Sequence, residues 1–369
     1  MMMKDNEIRH LYVHVPFCRT ICFYCDFCRT VYREQSASQW LDALEKELFL
    51  KDIRVPQKTV YIGGGTPTCL APGQLDRLLG MLDGYLGDDC EYTIEVNPET
   101  MTEEKADILA GHGINRASIG YQTSDPQMLN MMNRHHTAGD VRRTMELLRS
   151  RGIDNLSLDI MYSLPGQTME DMQKSVMDAL DMEPSHLSLY SLTIEEHTVF
   201  AKRGYRPCDE ELEADMYEWI VRTLESKGYE QYEISNFAVN GLYSRHNTAY
   251  WEYRNFHGIS MGASGKASGF RYDNTKDLKE YLQDPLKREI IPLSETDEMF
   301  EMVMMGLRMK QGMSLKRFEE CFGRTFISVY EKQVGKLSAQ NMLVVTEDTV
   351  RCTPEGYEIL NTVLEEFLD

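Results

Sequence analysis

Positive charge is scarce in this sequence. The chain has 369 residues, with 39 Lys and Arg against 59 Asp and Glu, which gives a formal net charge of −20 at pH 7. A field of this sign repels phosphate backbones and anionic membrane surfaces. The composition therefore argues against a nucleic-acid-binding protein, and we expect no nucleic acid among its partners.

Long apolar runs and dense cysteines are also lacking. No run approaches the ~18 apolar residues that a membrane span needs, and the stretch MMMKDNEIRHLYVHV lacks the apolar core of a signal peptide. The nine cysteines are too sparse for a small disulfide scaffold, and a reducing compartment would keep them as thiols. We therefore expect a cytoplasmic protein without a membrane span.

Short apolar runs alternate with stretches of helical periodicity up to about residue 190. The repetition of strand and helix predicts a parallel sheet that curls into an open or partial barrel, with ligands at the carboxyl ends of its strands. The fold class is therefore α/β, with a partial (β/α)6 barrel in residues 1–195. The six predicted strands lie at 11–15, 59–64, 92–96, 116–121, 155–160 and 186–191.

This alternation stops after about residue 195. We expect residues 196–290 to contain a long helix at about 209–228 and then an aromatic-rich stretch of short strands and loops. Residues 291–369 predict a C-terminal α+β domain that resembles a winged helix. Because its charge is not strongly basic, we expect it to pack or to dock a partner rather than to bind DNA. Its predicted elements are helices at 295–309, 314–321 and 326–340, a hairpin at 343–352 and a helix from Pro354.

Four cysteines fall close together. Cys18, Cys22 and Cys25 follow the first predicted strand with the spacing Cys-x3-Cys-x2-Cys, and Cys28 comes three residues later. Thiolates are the ligands of iron–sulfur clusters, and three of them leave one iron of a four-iron cube open to a chelating molecule. A zinc site is the alternative, since Cys28 can supply the fourth ligand that a closed zinc site takes.

A glycine-rich loop follows the second predicted strand, in the order Gly63, Gly64, Gly65, Thr66. Without side chains, glycines let the charged end of a ligand approach backbone N–H groups closely. A tight turn with no ligand is the alternative interpretation of the same residues.

Other candidate metal ligands do not form a set. His135 and His136 are adjacent, so they cannot face the same way on a helix, and we expect them at the surface. His14 and His112 stand alone and are expected to be structural. The 23 methionines mostly follow helical core spacing, which indicates packing rather than a soft-metal site.

The cysteine pattern at the end of a first strand resembles that of the radical S-adenosylmethionine (SAM) superfamily. The resemblance implies a [4Fe-4S] cluster on Cys18, Cys22 and Cys25, with an open iron that binds the amino and carboxylate groups of SAM. Tyr24 fits an aromatic position that lies near the adenine, and the glycine loop fits the motif that holds the amino group.

Segments along nearly the whole chain resemble the oxygen-independent coproporphyrinogen III oxidases and, within that branch, most closely the heme chaperones called HemW. The segments include LYVHVPFC, YIGGGTPT, EVNPET and LDIMYSLPGQT. The oxidases carry a further Cys two residues after the third ligand, where this chain has Phe27, and a long extension ahead of the first ligand. The chaperones carry an H-N-x-x-Y-W element, which is present here as His246, Asn247, Tyr250 and Trp251.

The resemblance to the oxidases also implies a set of SAM contacts. Taken singly, a strand-end carboxylate is equally typical of a helix cap, and Arg134 of a solvated charge, but their recurrence at strand ends favours one site. The implied contacts are Tyr12 beside the cluster loop, the edge formed by Gly64, Gly65 and Thr66, Glu95 for a cationic group, Gln122 at the end of the fourth strand, Arg134 on the next helix for the ligand carboxylate, Asp159 at the end of the fifth strand for a ribose hydroxyl, and Met161 near the adenine.

The H-N-x-x-Y-W element places an imidazole, an amide and two aromatic rings close together in what we expect to be a short loop outside the barrel. An imidazole is a familiar axial ligand of heme iron, and aromatic side chains can line the macrocycle. The resemblance therefore implies a heme site with His246 as the ligand. The alternative is that Tyr250 and Trp251 pack a domain junction while His246 caps a turn.

The favoured function is a heme chaperone that uses the cluster and SAM to control delivery of heme to an acceptor protein. The alternatives are an oxidase that decarboxylates coproporphyrinogen by radical chemistry, and an enzyme that opens or methylates another tetrapyrrole. An electron donor becomes a further partner if the cluster is reduced. The sequence is compatible with a homodimer but does not decide the oligomeric state.

Overall fold

A computed structural model describes residues 7–368 of the chain. This part of the chain forms seventeen β-strands. In chain order they are β1 (His10–Val15), β2 (Phe17–Cys18), β3 (Thr30–Val31), β4 (Gln57–Gly64), β5 (Leu86–Val96), β6 (Arg116–Gln122), β7 (Asn155–Tyr162), β8 (His186–Ser191), β9 (Glu230–Gln231), β10 (Asn236–Ala238), β11 (His257–Ile259), β12 (Ser264–Ala267), β13 (Phe270–Asn274), β14 (Arg288–Pro292), β15 (Met313–Ser314), β16 (Leu343–Val345) and β17 (Thr349–Cys352).

The same residues form fifteen α-helices, and three short 3-10 turns lie at Pro67–Cys69, Asp83–Tyr85 and Pro98–Thr100. In chain order the helices are α1 (Glu34–Lys51), α2 (Pro72–Leu82), α3 (Glu103–Gly111), α4 (Pro126–Met131), α5 (Ala138–Arg149), α6 (Met169–Leu180), α7 (Val199–Lys202), α8 (Glu210–Ser226), α9 (Arg245–Trp251), α10 (Leu278–Gln283), α11 (Glu295–Gly306), α12 (Leu315–Phe322), α13 (Phe326–Ala339), α14 (Pro354–Glu358) and α15 (Leu360–Glu365).

The main sheet has the strand order β11-β1-β4-β5-β6-β7-β8-β10-β9. The six predicted strands are β1 and β4 to β8, and each pairs in parallel with the next. At the edges, β11 adds a parallel strand to β1, whereas β10 pairs antiparallel with β8. The sheet is therefore open, and the predicted α/β fold with its parallel sheet is confirmed. All six carboxyl ends lie at one rim.

Strand β6 shows how the sequence separates the two faces of this sheet. All seven of its residues are buried, as expected for a parallel strand covered on both sides. Tyr121 faces outward, and its hydroxyl donates a hydrogen bond to the Ser175 carbonyl of α6 at 3.1 Å. Ser118 faces inward and donates to the carboxylate of Asp159 on β7 at 2.9 Å. Alternate residues of each strand thus line a polar interior.

The helices that cover the sheet begin at side-chain caps. Thr137 caps α5 and Thr168 caps α6, and in each case the Asp three residues later completes a capping box. This reciprocal hydrogen bonding satisfies N–H groups that the first turn of a helix leaves unpaired. The caps therefore fix where each helix starts after its strand.

The stretch that we expected to contain only strands and loops also contains α9. Ser244 caps this helix, with its Oγ accepting a hydrogen bond from the backbone N–H of Asn247 at 3.3 Å. The expectation that the H-N-x-x-Y-W element is a loop is therefore wrong. The segment RHNTAYW follows a Ser cap and contains neither Gly nor Pro, so a helix forms where only irregular structure was predicted.

The C-terminal region has its own hydrophobic core and a three-stranded sheet in the order β15-β17-β16. Helices α11, α12 and α13 and the hairpin of β16 and β17 lie where the sequence predicted them. The last predicted helix is divided into α14 and α15 at Ile359, whose φ of −115° departs from helical geometry. Within residues 7–368, no helix has both the length and the apolar character needed to cross a membrane.

Candidate functional site

The three cysteines predicted as cluster ligands lie on a loop at the rim where the parallel strands end. Cys18 ends β2, and Cys22 and Cys25 follow in the loop that β3 closes by pairing with β2. The hydroxyl of Thr66 donates to Cys18 Sγ at 3.6 Å, so the cysteine loop contacts the glycine loop. None of the three forms a disulfide. The structure therefore brings three thiols beside the predicted SAM edge.

Cys18 and Cys25 are protonated in the absence of iron. Burial raises the pKa of Cys18 to about 11 and also raises the pKa of Cys25. Because iron binds the thiolate, assembly of a cluster must release protons. Among residues 7–368, no three His, Cys, Asp or Glu side chains converge on a point where they could hold a single metal ion. A [4Fe-4S] cluster distributes its cysteines over different irons, and three free thiols on one loop are chemically suited to it.

Cys28 has different surroundings. Its Sγ lies 3.6 Å from the carbonyl oxygen of Lys276, and a methyl group on Gly262 would come within 2.7 Å of that sulfur. The carbonyl of Cys28 accepts a hydrogen bond from His14 Nε2 at 2.7 Å. We infer that Cys28 anchors the cysteine loop to the segment after β11, and that His14 is a structural residue.

Each glycine of the triplet at the end of β4 is required by its neighbours. A Cβ atom on Gly63 would lie 2.7 Å from Glu95 Oε1, and one on Gly65 would lie 2.6 Å from the Phe17 carbonyl oxygen. Gly64 has a φ of +109°, and a Cβ there would lie 2.5 Å from the His14 ring. These close contacts explain the triplet more fully than a turn alone. The N–H groups of Gly64 and Gly65 donate to Glu95 and to the Val15 carbonyl, at 3.0 and 2.8 Å.

Glu95 and Asp159 are two carboxyl groups held inside the barrel. Glu95 accepts hydrogen bonds from the Tyr61 hydroxyl and from the Gly64 N–H, both at 3.0 Å. Burial, followed by the negative charge of Asp159, raises the pKa of Glu95 to about 7, and burial raises the pKa of Asp159 to about 6. A bound cation would favour the ionised form of both groups.

The position of Asp159 differs from the prediction. Strand β7 continues to Tyr162, so Asp159 lies within the strand rather than at its end. The run of buried residues that predicted the strand extends past Ile160 through Met161 and Tyr162. Asp159 therefore faces the interior below the rim, where Ser118 holds its carboxylate.

Gln122 and Arg134 converge over Gly120. A Cβ on Gly120 would lie 3.0 Å from Gln122 Nε2 and 3.2 Å from either terminal nitrogen of Arg134. Arg134 donates one hydrogen bond to the Tyr24 hydroxyl at 3.3 Å, while its Nε is buried with no hydrogen-bond partner among residues 7–368. A carboxylate can accept two parallel hydrogen bonds from a guanidinium, as a bidentate pair. This unsatisfied donor suits the predicted contact with a ligand carboxylate.

Arg134 does not lie on a helix, contrary to expectation. Helix α4 ends at Met131, and the backbone then turns back through Asn133, which has a φ of +61°. Glu99 fixes the next segment by accepting hydrogen bonds from the backbone N–H groups of His135 and His136 at 2.7 and 3.0 Å.

The expectation that both histidines are exposed is wrong for His136, which is buried and hydrogen-bonded to the Tyr121 carbonyl at 3.0 Å. The reason is that this segment is not helical.

Tyr12 on β1 and Met161 on β7 belong to different parts of the sheet, with β4, β5 and β6 between their strands. The Tyr12 hydroxyl donates to His14 Nδ1 at 2.9 Å. Met161 is buried in a small apolar cluster with Met132 and Phe200, against which Tyr24 of the cysteine loop packs. Sequence reasoning missed Tyr61, although period-two alternation in β4 places it on the same face as Gly63.

Replacing Glu95 with Gln should change the pH dependence of stability. With its pKa at about 7, Glu95 of the folded protein keeps a proton that the unfolded chain loses near its usual pKa of ~4.3. This group therefore makes the free energy of unfolding fall as the pH rises from about 4.3 to about 7. Ligand-free E95Q should melt with wild type at pH 4 and several degrees above it at pH 8.

Thermal denaturation of both ligand-free proteins measures this difference. Glu104 on α3 is exposed, so E104Q is a matched control and should follow wild type at both pH values. An E95Q protein that melts at or below the wild-type temperature at pH 8 would contradict the assignment of Glu95 as a destabilised buried acid.

The four residues predicted to bind heme divide between two faces of α9. His246 is only 1% exposed, and its two ring nitrogens are hydrogen-bonded to the Thr59 and Tyr250 hydroxyls, each at 2.7 Å. Its ring also stacks on Tyr61 at a centroid distance of 5.2 Å. This face of α9 therefore contacts the residue that holds Glu95.

The other face of α9 carries Asn247, which is partly exposed, and Trp251. Trp251 lines a cavity of about 410 Å³ between α9 and the C-terminal region, together with Met302, Met309 and Met313. Its indole Nε1 is buried and has no hydrogen-bond partner in the part of the chain that the structure describes. The four side chains consequently do not surround one common space.

Comparison with known proteins agrees with this geometry. Residues 12–179 match the family model of the radical SAM superfamily, and residues 293–359 match that of the HemN C-terminal domain. The superfamily implies a [4Fe-4S] cluster and SAM as cofactors. The solved structure of coproporphyrinogen III oxidase (HemN) from Escherichia coli, described as a radical SAM enzyme, has the same fold, with a TM-score of 0.85 at 24% identity over 98% of this chain and 90% of that one.

Relatives are similar over their whole length. Heme chaperone HemW of Lactococcus lactis subsp. lactis is 37% identical, and the match covers 100% of this chain and 98% of the relative. Heme chaperone HemW of Bacillus subtilis is 36% identical, with coverage of 98% and 99%, and that of Escherichia coli is 31% identical, with coverage of 97% of each. On these similarities and on the cysteine and glycine loops of the barrel, the chain belongs to the HemW family of the radical SAM superfamily.

Proposed function

We propose that this protein is a heme chaperone, which binds heme, carries a [4Fe-4S] cluster with SAM, and transfers heme to an acceptor protein. The observation that carries the proposal is the end-to-end similarity to relatives named heme chaperone HemW, at 37% and 36% identity. The H-N-x-x-Y-W element on α9 supports the same function.

The residues at the rim hold the cofactors in this proposal. The cluster and SAM together supply one-electron chemistry when bound. Cys18, Cys22 and Cys25 ligate the cluster, and the guanidinium of Arg134, whose Nε is unpaired among the described residues, pairs with the SAM carboxylate. The other proposed contacts of SAM are Tyr12, the edge of Gly64, Gly65 and Thr66, the carboxylates of Glu95 and Asp159, Gln122, and Met161.

Heme is assigned to the α9 side of the barrel, with His246, Asn247, Tyr250 and Trp251 as its proposed surroundings. Trp251 supports this assignment because it borders a cavity whose other walls include methionines. His246 can reach iron only by giving up its hydrogen bond with Thr59 or Tyr250. The proposal also includes an acceptor protein, an electron donor if the cluster is reduced, and a homodimer as one form of assembly.

Titration with hemin tests the proposal. Protein reconstituted with its cluster under anaerobic conditions should bind hemin saturably, with a single heme per chain, and develop a Soret band. It should release the heme chemically unchanged to an acceptor. Absorbance spectroscopy and a pyridine hemochromogen assay give the stoichiometry. Binding that never saturates, or no binding, would contradict a chaperone that carries heme at a defined site.

A further inference from the structure

A cavity of about 550 Å³ lies at the end of the barrel opposite the cysteine loop. It is bordered by the starts of β1 and β4, the first residues of α9 and part of α12. In a chain with a net charge of −20, its walls are unusually basic, because five cations face two acids. These residues are Arg9, Lys58, Arg245, Arg254 and Arg317, with Glu7 and Glu252.

This basic cavity adjoins the cavity beside Trp251. The two share Glu252, Arg254 and Arg317 as walls, so they form neighbouring parts of one groove between the barrel and the C-terminal region. The first part has Trp251 and three methionines among mostly polar and charged walls, and the second part has no tryptophan or methionine and more cations than acids. Ligand sites of this volume typically combine apolar walls with a few placed polar groups. A flat apolar ring that carries carboxylates at one edge matches such a groove.

His10 lines the basic cavity and is partly exposed there. Its Nδ1 is 3.0 Å from the Thr59 hydroxyl, and among residues 7–368 its Nε2 has no hydrogen-bond partner. Histidines that bind metals usually engage one ring nitrogen in a hydrogen bond, which orients the ring and leaves the other nitrogen for the metal. His10 therefore has the arrangement of a metal-ligating histidine.

The protonation state of His10 agrees with this geometry. Burial, followed by the positive charges of Arg254, Lys58, Arg245 and Arg317, lowers the pKa of His10 to about 4. The imidazole is therefore neutral at pH 7, which is the form that binds a metal. The same cations would attract the carboxylates of an anionic ligand.

Thr59 connects His10 to the interior of the protein. Its hydroxyl is 2.7 Å from Nδ1 of His246, and Nε2 of His246 is 2.7 Å from the Tyr250 hydroxyl. His10 and His246 thus lie on the two sides of one threonine, with His10 facing the cavity and His246 buried. His246 of the H-N-x-x-Y-W element therefore lies behind the imidazole of His10 and can support it through Thr59.

We propose that His10 Nε2 is an axial ligand of heme bound in this groove, with the two heme propionates held by Arg9, Lys58 and Arg245 and with His246 supporting His10 through Thr59. The inference rests on the proposed heme-chaperone function and names the site that serves it. Formation of the iron–nitrogen bond requires no proton release, because the imidazole is already neutral.

Hemin titrations of cluster-loaded wild type, H10A, H246A and H112A test this assignment. We expect H10A to bind hemin at least tenfold more weakly and with a shifted Soret band, and added imidazole to restore the wild-type spectrum. H246A removes the group that supports His10 through Thr59, so it should lose affinity by a smaller factor than H10A and keep the wild-type Soret position because the axial ligand remains. H112A removes an imidazole that pairs with Asp76 and Asp83 on another surface, and it should behave as wild type.

Two further measurements keep the outcome decisive. H10Q, which retains a polar group beside Thr59 but cannot ligate heme iron well, should show the same loss as H10A and replaces it if H10A does not fold. Metal-free protoporphyrin IX, which needs no axial ligand, should bind wild type and H10Q equally and K58E more weakly.

The possible failures are distinguishable. If H10A and H10Q bind hemin as wild type does while H246A loses the Soret band, His246 is the ligand and the inference is overturned, although the chaperone function stands. If wild type itself binds neither hemin nor protoporphyrin IX, both the proposed function and this site are wrong.

Discussion

Anaerobic reconstitution of the C18A, C22A and C25A variants with iron and sulfide is expected to yield protein without the brown cluster chromophore. Three thiolates hold the cluster in this account, and the fourth iron has no protein ligand. Each variant removes one of these thiolates, so a second iron would also be left without a protein ligand. The three cysteines share one loop that β2 and β3 close beside Thr66. Visible absorbance and iron analysis should therefore fall together, from about four irons per chain in wild type to near none.

C28A is the matched control for this experiment. Cys28 belongs to the same loop region, but its sulfur packs against Gly262 and the Lys276 carbonyl. We expect C28A to keep most of the chromophore and to lose some thermal stability because the packing contact is removed. Equal loss of iron in C28A would overturn the three-ligand site and restore the closed four-cysteine site.

Replacement of Arg134 with Ala should weaken SAM binding by about 1.5–3 kcal/mol, the usual range for a hydrogen bond to a charged group. This corresponds to an affinity loss of roughly 10- to 150-fold. The reason is that the Arg134 guanidinium lies over Gly120 beside Gln122, with its Nε buried and unpaired among the described residues. Calorimetry on the cluster-loaded protein under anaerobic conditions gives the affinity directly.

Arg143 provides the control for this substitution. It is an exposed arginine on α5 that pairs with Asp140, so R143A should bind SAM as wild type does. Unchanged affinity in R134A would show that the SAM carboxylate lies elsewhere. A loss of cluster absorbance in R134A would show that the variant disturbs the cysteine loop through Tyr24, and the affinity would then be compared at equal cluster content.

The strands and the rim of the site could be predicted from sequence because their signals are local. Parallel strands are buried on both faces, so runs such as 116–121 stand out from the amphipathic stretches around them. The cysteine loop comes shortly after the end of β1 and the glycine triplet lies at the end of β4, and the ends of neighbouring parallel strands necessarily meet. Their proximity, confirmed by the contact between Thr66 and Cys18, therefore followed from strand order.

The parts that escaped prediction depend on contacts between distant residues or on small shifts in element boundaries. Thr59 and His246 are separated by 187 positions, and no local pattern indicates that their side chains meet. Asp159 was placed at a strand end because periodicity does not show how far a buried strand continues. Arg134 and His136 were assigned to a helix, since the turn that Glu99 stabilises has no strong sequence signal.

The mass of the tetrapyrrole after incubation tests the chaperone proposal most directly. Cluster-loaded protein is incubated anaerobically with SAM and a reductant, in one sample with heme and in another with coproporphyrinogen III, and both pigments are then analysed by mass spectrometry. The proposal predicts heme of unchanged mass bound to the protein and coproporphyrinogen recovered intact. A coproporphyrinogen product that has lost two carboxyl groups, with no bound heme, would contradict it and identify an oxidase.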